Sequence, residues 1–261
     1  MNRFTFILLT FGLSLALCRP ILMQAHAADS ALAIMREVDR AQQAESRRYD
    51  GAIEVIDNQG KILHKRWQFS AAGHRGEGKI LIRFTAPPEV QGVGLLTLNR
   101  PSTLAEQWLY TPSIQRDRRI ASQEKSARFM GTDFSNEDME ERSIEDYAYS
   151  LLGEEEFEGK ATYKIKAVYK RPEQTQYSNH LIWVRKDIMV ITMMELYRED
   201  RLYKIMRWND WHKIQQIWTS HFVEMKDVER GSTTRIRISN VKYNVAFPND
   251  WFSLRHLRMG S

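Results

Sequence analysis

Residues 106–139 read EQWLYTPSIQRDRRIASQEKSARFMGTDFSNEDM, and the rest of the chain is interpreted outward from this stretch. It starts with an aromatic strand that holds Trp108 and Tyr110, and the strand ends at Pro112 because proline cannot donate to a sheet. A basic run predicted to be a loop comes next, followed by an apolar group that includes Phe129 and Phe134. This mixture of chemistries in one short stretch makes it a candidate functional site.

On both sides of this stretch, apolar and polar residues alternate, which is typical of strands with one buried face. Strands and helices do not alternate along the chain, so the sheet is predicted to be antiparallel. In the last strand Ile236 and Val241 take opposite phases, which predicts a bulge near Ser239 and Asn240. We count ten or eleven strands, including residues 53–55, 63–69, 80–84, 92–98, 163–169, 181–184, 189–197, 202–208 and 217–225.

Helices are predicted at only a few places. Apolar residues recur every three or four positions over residues 29–48, which indicates an amphipathic helix. Residues 135–139 form a short helical turn, and a closing helix follows Phe247 and Pro248. The expected fold class is α+β, a single domain built on one large antiparallel sheet that must bend or close to shelter its apolar face.

Residues 1–27 have the order of a secretory signal peptide, with Arg3, an apolar run and an Ala-His-Ala end. The run is shorter than a membrane span, so an anchor helix is the less favoured alternative. The residue before Cys18 is leucine where lipoprotein signals carry a small residue, so lipidation is not predicted. We expect cleavage after Ala27, a domain over residues 28–261, and a periplasmic location.

Composition limits the remaining possibilities. The first 27 residues hold two of the 38 basic residues and none of the 33 acidic ones, so the formal charge falls from +5 to +3 after cleavage. Basic and acidic residues are mixed along the chain, which argues against a nucleic-acid partner. Because Cys18 is the one cysteine, the mature chain would hold no disulfide and must be stabilised by its core.

Catalytic and metal-binding patterns are lacking in the sequence. The seven histidines show no zinc-site spacing, and no nucleophile elbow or phosphate loop occurs. The acidic residues of 133–141 lack the spacing of a calcium loop and are interpreted as a solvated helical turn. We therefore predict no enzyme, no cofactor and no metal.

Large adaptable side chains are abundant instead. The chain has seven Trp and eleven Met, and all of the Trp and nine of the Met follow residue 27. Methionine is flexible and polarisable, so methionine with aromatic residues can line a pocket that adapts to a lipid chain. The alternative is that these residues simply fill a core.

Three segments carry a family resemblance: FTAPPEVQGVGLL at residues 84–96, WLYTPSIQRDRRI at 108–120 and FMGTDFSNEDM at 129–139. They resemble the outer-membrane lipoprotein-sorting proteins, a branch of the LolA/LolB-like group. The resemblance implies a strongly curved antiparallel sheet, an incomplete barrel, with an N-terminal helix and short plug helices on its concave side. It also implies a cavity that binds acyl chains.

The leading hypothesis is a periplasmic, non-enzymatic carrier of a lipid or of the acyl chains of a lipoprotein, moving cargo towards the outer membrane. The alternative is an interaction module that works with an RND-type inner-membrane transporter of hydrophobic molecules, and an enzyme acting on a hydrophobic substrate is a third option. A head group of the cargo or a partner protein could meet Arg116, Arg118 and Arg119, unless these arginines only form a salt-bridged loop. The apolar residues expected to touch lipid are Trp67, Phe69, Leu95, Trp108, Tyr110, Phe129, Met130 and Phe134.

Overall fold

The computed structural model describes residues 19–101 and 103–259, with side chains from residue 30 onward. Two α-helices flank thirteen strands: α1 spans Arg19–Ala41 and α2 spans Leu254–Met259. None of the described helices is both long enough and apolar enough to cross a membrane. The strands are β1 Ser46–Ile56, β2 Ile62–Ala72, β3 Lys79–Ala86, β4 Gly94–Leu98, β5 Glu106–Thr111, β6 Arg116–Arg119, β7 Tyr147–Phe157, β8 Lys160–Tyr169, β9 Asn179–Arg185, β10 Val190–Arg198, β11 Arg201–Ile214, β12 Ile217–Asp227 and β13 Ser232–Tyr243.

All thirteen strands form one antiparallel sheet in the order β6-β5-β4-β3-β2-β1-β13-β12-β11-β10-β9-β8-β7. Every pairing joins two consecutive strands except that of β1 with β13, so the first and last strands lie side by side in the middle of the sheet. The edges β6 and β7 stay apart, and the sheet is therefore an incomplete barrel, as predicted. The bulge near Ser239 is confirmed, since the register of β13 against β1 shifts between Arg48 and Asp50.

The structure differs from the sequence-based expectation in three elements. The first helix ends at Ala41 rather than near residue 48, and β1 already includes Arg47 and Arg48. The basic run is the edge strand β6 rather than a loop. Strands β6 and β7 bring the number of strands to thirteen. The second half of β7 is mostly exposed and carries Glu154, Glu155 and Glu156, so it lacks the alternation that marks the other strands.

We call the face of the sheet that α1 covers the inner face. Helix α1 buries Ala31, Met35 and Val38, at a spacing of four and three residues, against β7, β8 and β9. The inner segment, residues 120–142, covers another part of the same face and consists of short 3-10 turns joined by irregular chain. Its Phe129 stacks at an angle on Phe84, with ring centroids 5.7 Å apart.

The aromatic packing on the inner face requires a glycine at position 51. Gly51 in β1 lies beside Trp67 in β2, and a Cβ atom at Gly51 would fall 2.0 Å from the indole Nε1. The indole can lie flat across β1 only because residue 51 has no side chain. Trp67 then reaches Phe84 and Phe129 at centroid distances of 5.9 and 6.3 Å.

The outer face carries a smaller cluster under α2. Leu257 of α2 is fully buried against Leu81 and Leu96, and Trp251 and Phe252 pack on the same cluster. Arg83 fixes the helix end, because its guanidinium donates to the carbonyl oxygens of His256 and Leu257 at 3.0 Å each. The predicted closing helix is therefore present, and it packs on the outer face.

Candidate functional site

A cavity of about 480 Å³ lies on the inner face between α1 and the inner segment. Helix α1 contributes Met35 and Val38, the inner segment contributes Phe134, and the sheet forms the remaining wall. The volume falls in the range of small-molecule binding sites, roughly 300 to 1,000 Å³. The apolar part of the sheet wall includes Trp67, Phe69, Ile80, Ile82, Ile182, Met194, Leu196, Met206, Trp208, Val223, Met225 and Ile236.

Three methionines form a row across this wall. Met194 of β10 pairs with Met206 of β11, and Met206 pairs with Met225 of β12, so the three side chains lie next to one another on the inner face. All three line the cavity. Unbranched thioether side chains change rotamer easily, which gives the wall a surface that can follow the shape of an apolar ligand.

The pairing of β11 with β12 continues further than the pairing of either strand with its other neighbour. The β10–β11 pairing ends at Met193 and Arg207, and the β12–β13 pairing begins at Phe222 and Arg237, whereas β11 and β12 stay paired as far as Ile214 and Ile217. Residues 209–221 thus pair within the sheet only with each other. Trp211 and Trp218 of this part of the hairpin line the cavity.

Ion pairs and hydrogen bonds surround the end of the cavity near the start of β1. Arg75 in the β2–β3 turn binds Asp39 of α1 at 3.0 Å, and Gln43 contacts His74 at 3.0 Å. Arg47 of β1 pairs with Glu141 of the inner segment. These contacts join α1, the sheet and the inner segment at one rim, and half-exposed surface pairs of this kind are individually weak.

Buried charge holds the inner segment on the sheet, which corrects the prediction of a solvated acidic turn. Asp138 accepts hydrogen bonds from Lys204 Nζ at 2.9 Å and from the Tyr177 hydroxyl at 2.8 Å. Asp133 accepts from Ser232 and Thr234 of β13 at 2.5 and 2.6 Å. Both carboxylates are almost inaccessible to solvent, so these acids anchor the segment instead of solvating it.

The same pattern continues through the other acids. Glu140 pairs with Lys125 at 2.5 Å, and Glu137 pairs with Arg142 at 3.0 Å, with all four side chains nearly buried. Burial raises the pKa of Asp138, but Lys204 and the hydrogen bonds from Ser135 and Tyr177 outweigh that effect and hold it below its usual range. The Asp138 carboxylate is therefore charged and already paired at neutral pH.

His180 lies in the cavity wall between two tyrosine rings. Its ring centroid is 5.8 Å from that of Tyr147 and 5.3 Å from that of Tyr177. Burial lowers the pKa of His180 to about 4, although the nearby charge of Asp138 opposes this shift. The imidazole is therefore neutral at neutral pH, and it adds no charge to the wall.

The predicted lipid-contact residues occupy three different positions. Trp67, Phe69 and Phe134 line the cavity. Leu95, Phe129 and Met130 pack in the inner core behind that lining. Trp108 and Tyr110 lie on the outer face with α2, because their positions on β5 pair with Leu96 and Gly94 in the phase that faces Leu257.

The three predicted arginines are on the edge strand β6 and do not line the cavity. Arg118 pairs with Glu124 at 2.8 Å and Arg119 with Glu106 at 3.5 Å, while Arg116 is exposed. Contact with a head group or partner stays a prediction for a different surface.

Sequence reasoning did not nominate the residues that form most of the lining. The methionine row and the tryptophans of the β11–β12 hairpin were noticed only as composition. The available signal was the alternation of apolar residues along three successive strands. Two residues that are two positions apart face the same side on each strand: Met194 and Leu196, Met206 and Trp208, Val223 and Met225. A lining drawn from several strands follows from that alternation once the neighbouring strands are known.

A family model described as that of an uncharacterized protein matches residues 76–259. The chain belongs to this family. No curated protein matches the sequence. Among solved structures, a DUF1329 family protein from Desulfovibrio piger superposes with a TM-score of 0.85 at 27% identity, covering 88% of this chain and 99% of that one.

Two further structures have the same fold at lower identity. An outer membrane lipoprotein-sorting protein domain from Vibrio parahaemolyticus gives a TM-score of 0.84 at 22% identity, covering 88% of this chain and 99% of that one. A LolA superfamily protein from Nitrosomonas europaea gives 0.70 at 20% identity, covering 87% and 98%. The predicted LolA-like fold is thus confirmed.

Proposed function

We propose that this protein is a non-enzymatic carrier that binds the acyl chains of a lipid or lipoprotein in the inner-face cavity. The observation that carries the proposal is the cavity itself, with about 480 Å³ of space and a predominantly apolar sheet wall. The names of two structural neighbours, a lipoprotein-sorting domain and a LolA superfamily protein, agree with a role of this class.

An acyl chain fits the chemistry of the lining. Each methylene moved from water into an apolar site contributes about 0.8 kcal/mol, so about ten methylenes would supply about 8 kcal/mol before the costs of binding are subtracted. The lining offers Met194, Met206 and Met225 as adaptable contacts. Such a wall suits chains that differ in length better than one rigid ligand.

The alternative of a pure interaction module needs no cavity, and a solidly packed inner face would have favoured it. The open volume between α1 and the inner segment instead favours the carrier. An enzyme would need free acids or bases in the cavity, whereas Glu137 and Asp138 are engaged by Arg142 and Lys204. A partner of the RND transporter type rests on the family resemblance and is compatible with the carrier.

Transfer through the periplasm, towards the outer membrane, is part of the proposal. It requires that residues 1–27 act as a signal peptide and that residues 28–261 form the carrier domain. Residues 1–18, including Cys18, lie outside the described residues, and α1 begins at Arg19. Edman sequencing of the protein recovered from a periplasmic extract would identify the mature N-terminus.

Filling the cavity tests the carrier function directly. Met206→Trp places a larger side chain in the centre of the methionine row, and we expect uptake of a fluorescent fatty acid to weaken at least about tenfold. Ile205→Trp is the matched control, because residue 205 is the neighbour on the same strand and is not part of the cavity lining. Titration of delipidated protein gives both affinities.

Two results would contradict the proposal. One is saturable binding that is equally strong in both variants, because the lipid would then occupy another place. The other is no uptake of any fatty acid, lipopeptide or polycyclic lipid by the delipidated native chain. Circular dichroism and urea unfolding of both variants would show that a loss of binding is not a loss of folding.

A further inference from the structure

The outer edge of the sheet carries a surface that the cavity does not explain. We call it the α2–β6 surface, and it consists of Ile114, Arg116, Arg119, Arg255, Arg258 and Met259. Its parts are held together by Arg258, which binds both carboxylate oxygens of Asp117 in β6, at 2.6 and 3.1 Å. This bidentate pair fixes the end of α2 beside the edge strand.

Two large apolar side chains stand out from this surface. Met259 is 69% exposed and Ile114 is 67% exposed, the highest values among the large apolar side chains that the structure describes. Ile114 ends the 3-10 turn between β5 and β6, and Met259 follows the arginine that binds Asp117. Water-exposed apolar side chains at a turn and at a helix end are suited to insertion between lipid head groups.

Arginines accompany these apolar groups. On α2, Arg255 lies three residues before Arg258 and four before Met259, and all three are exposed on the side of the helix away from the buried Leu257. On the edge strand β6, Arg116 lies two residues after Ile114, and Arg119, which projects to the other side of the strand, reaches Glu106. Four arginines thus face two carboxylates, Glu106 and Asp117, and the surface has an excess of positive charge.

We propose that the α2–β6 surface docks this protein on an anionic lipid bilayer. Guanidinium groups attract the negative head groups, and Ile114 and Met259 enter the boundary between head groups and acyl chains. Helix α2 is rigid enough for this role because Arg83 binds its last carbonyls and Leu257 is fully buried beneath it. The docking surface goes beyond the carrier function, since it needs no cargo in the cavity.

The experiment is sedimentation of the chain with vesicles that contain phosphatidylglycerol or with vesicles of phosphatidylcholine alone. We expect binding to the anionic vesicles, little binding to the neutral ones, and weakening by salt. Each arginine at an anionic surface is worth about a fivefold change in affinity. Arg116→Glu with Arg255→Glu should therefore weaken binding at least about tenfold, and Ile114→Asp with Met259→Asp should also weaken it.

Matched controls separate the surface from bulk properties. Arg201→Glu with Arg230→Glu makes the same change in net charge at exposed sites elsewhere, and Leu152→Asp adds a charge to an exposed apolar site on β7. All variants keep the same N-terminal residues, so any contribution of these residues to vesicle binding is the same in every variant.

The proposal is overturned if the control variants weaken vesicle binding as much, if anionic and neutral vesicles bind equally, or if only an acidic protein binds this surface. Fatty-acid uptake by the same variants should stay unchanged, so a failure here is distinct from a failure of the carrier function.

Discussion

At the scale of single residues, His180 makes the stability of this protein depend on pH. Its folded-state pKa is about 4, below the usual value of about 6.5, because the ring is buried in the cavity wall. The unfolded chain therefore binds a proton more readily than the folded one. The stability from the neutral imidazole is complete above pH of about 6.5 and is lost as the pH falls towards about 4.

We expect His180→Gln to remove part of this dependence. The free energy of unfolding in urea should fall less between neutral pH and a pH of about 4.5 than in the native chain, with a difference of up to about 3 kcal/mol. His64→Gln is the control, since His64 is an exposed histidine on β2. If both variants retain the native pH dependence, His180 is not its source.

Other residues show where sequence reasoning reaches its limit. Trp67, Phe69 and Phe134 could be nominated because large apolar residues at an inward phase face the interior. The acids of the inner segment could not, because the partners that make them structural are distant in sequence: Lys204 lies 66 residues from Asp138, and Ser232 lies 99 residues from Asp133. Without those partners, burying a carboxylate is costly, so a solvated turn was the reasonable expectation.

At the scale of elements, the Asp138–Lys204 pair should decide whether the inner segment stays on the sheet. Lys204 is 2% exposed, so Asp138→Asn leaves an uncompensated buried ammonium group. We expect a loss of about 3 to 5 kcal/mol in the free energy of unfolding. Asp187→Asn, which removes the half-exposed partner of Arg185, should cost less than about 1 kcal/mol.

A double variant separates charge from contact. Replacing the pair by apolar residues, Asp138→Leu with Lys204→Met, removes both charges, and we expect a smaller loss than for Asp138→Asn alone. Urea unfolding curves of the native chain, of Asp138→Asn and of the double variant provide the comparison. Equal stability of Asp138→Asn and Asp187→Asn would mean that the buried pair does not hold the segment.

Most elements were predictable because their physics is local. Alternation marks β1 to β4 and β8 to β13, and a change of phase marked the bulge near Ser239. Strand β6 was not predicted as a strand because its four consecutive charged residues, Arg116–Arg119, show no alternation of polar and apolar side chains. Only the pairing with β5 makes them a strand. Helix α1 ends early because the chain from Ser46 pairs with β2 and β13, and tertiary pairing overrides a local helical pattern.

At the scale of the whole molecule, the cavity depends on three parts of the chain that are far apart. It is enclosed by α1, by the inner segment and by strands that reach from β1 to β13, and the β1–β13 pairing brings the two halves of the sheet together. Composition indicated a surplus of Trp and Met, but it could not distinguish a filled core from a lined cavity. That distinction depends on how far α1 and the inner segment stand from each other over the sheet.

A lipid in this cavity should act on the molecule unevenly. Because a ligand that binds only the folded state stabilises it, lipid at about 100 times its dissociation constant should raise the free energy of unfolding by about 2.7 kcal/mol. Amides that exchange by local opening should slow in residues 35–41 and 134–142, which line the cavity, while those of α2 on the outer face should not change. Hydrogen exchange with and without lipid measures this, and both effects should be smaller in Met206→Trp at the same lipid concentration. Slower hydrogen exchange confined to α2 would locate the lipid on the outer face and contradict a binding site in the inner-face cavity.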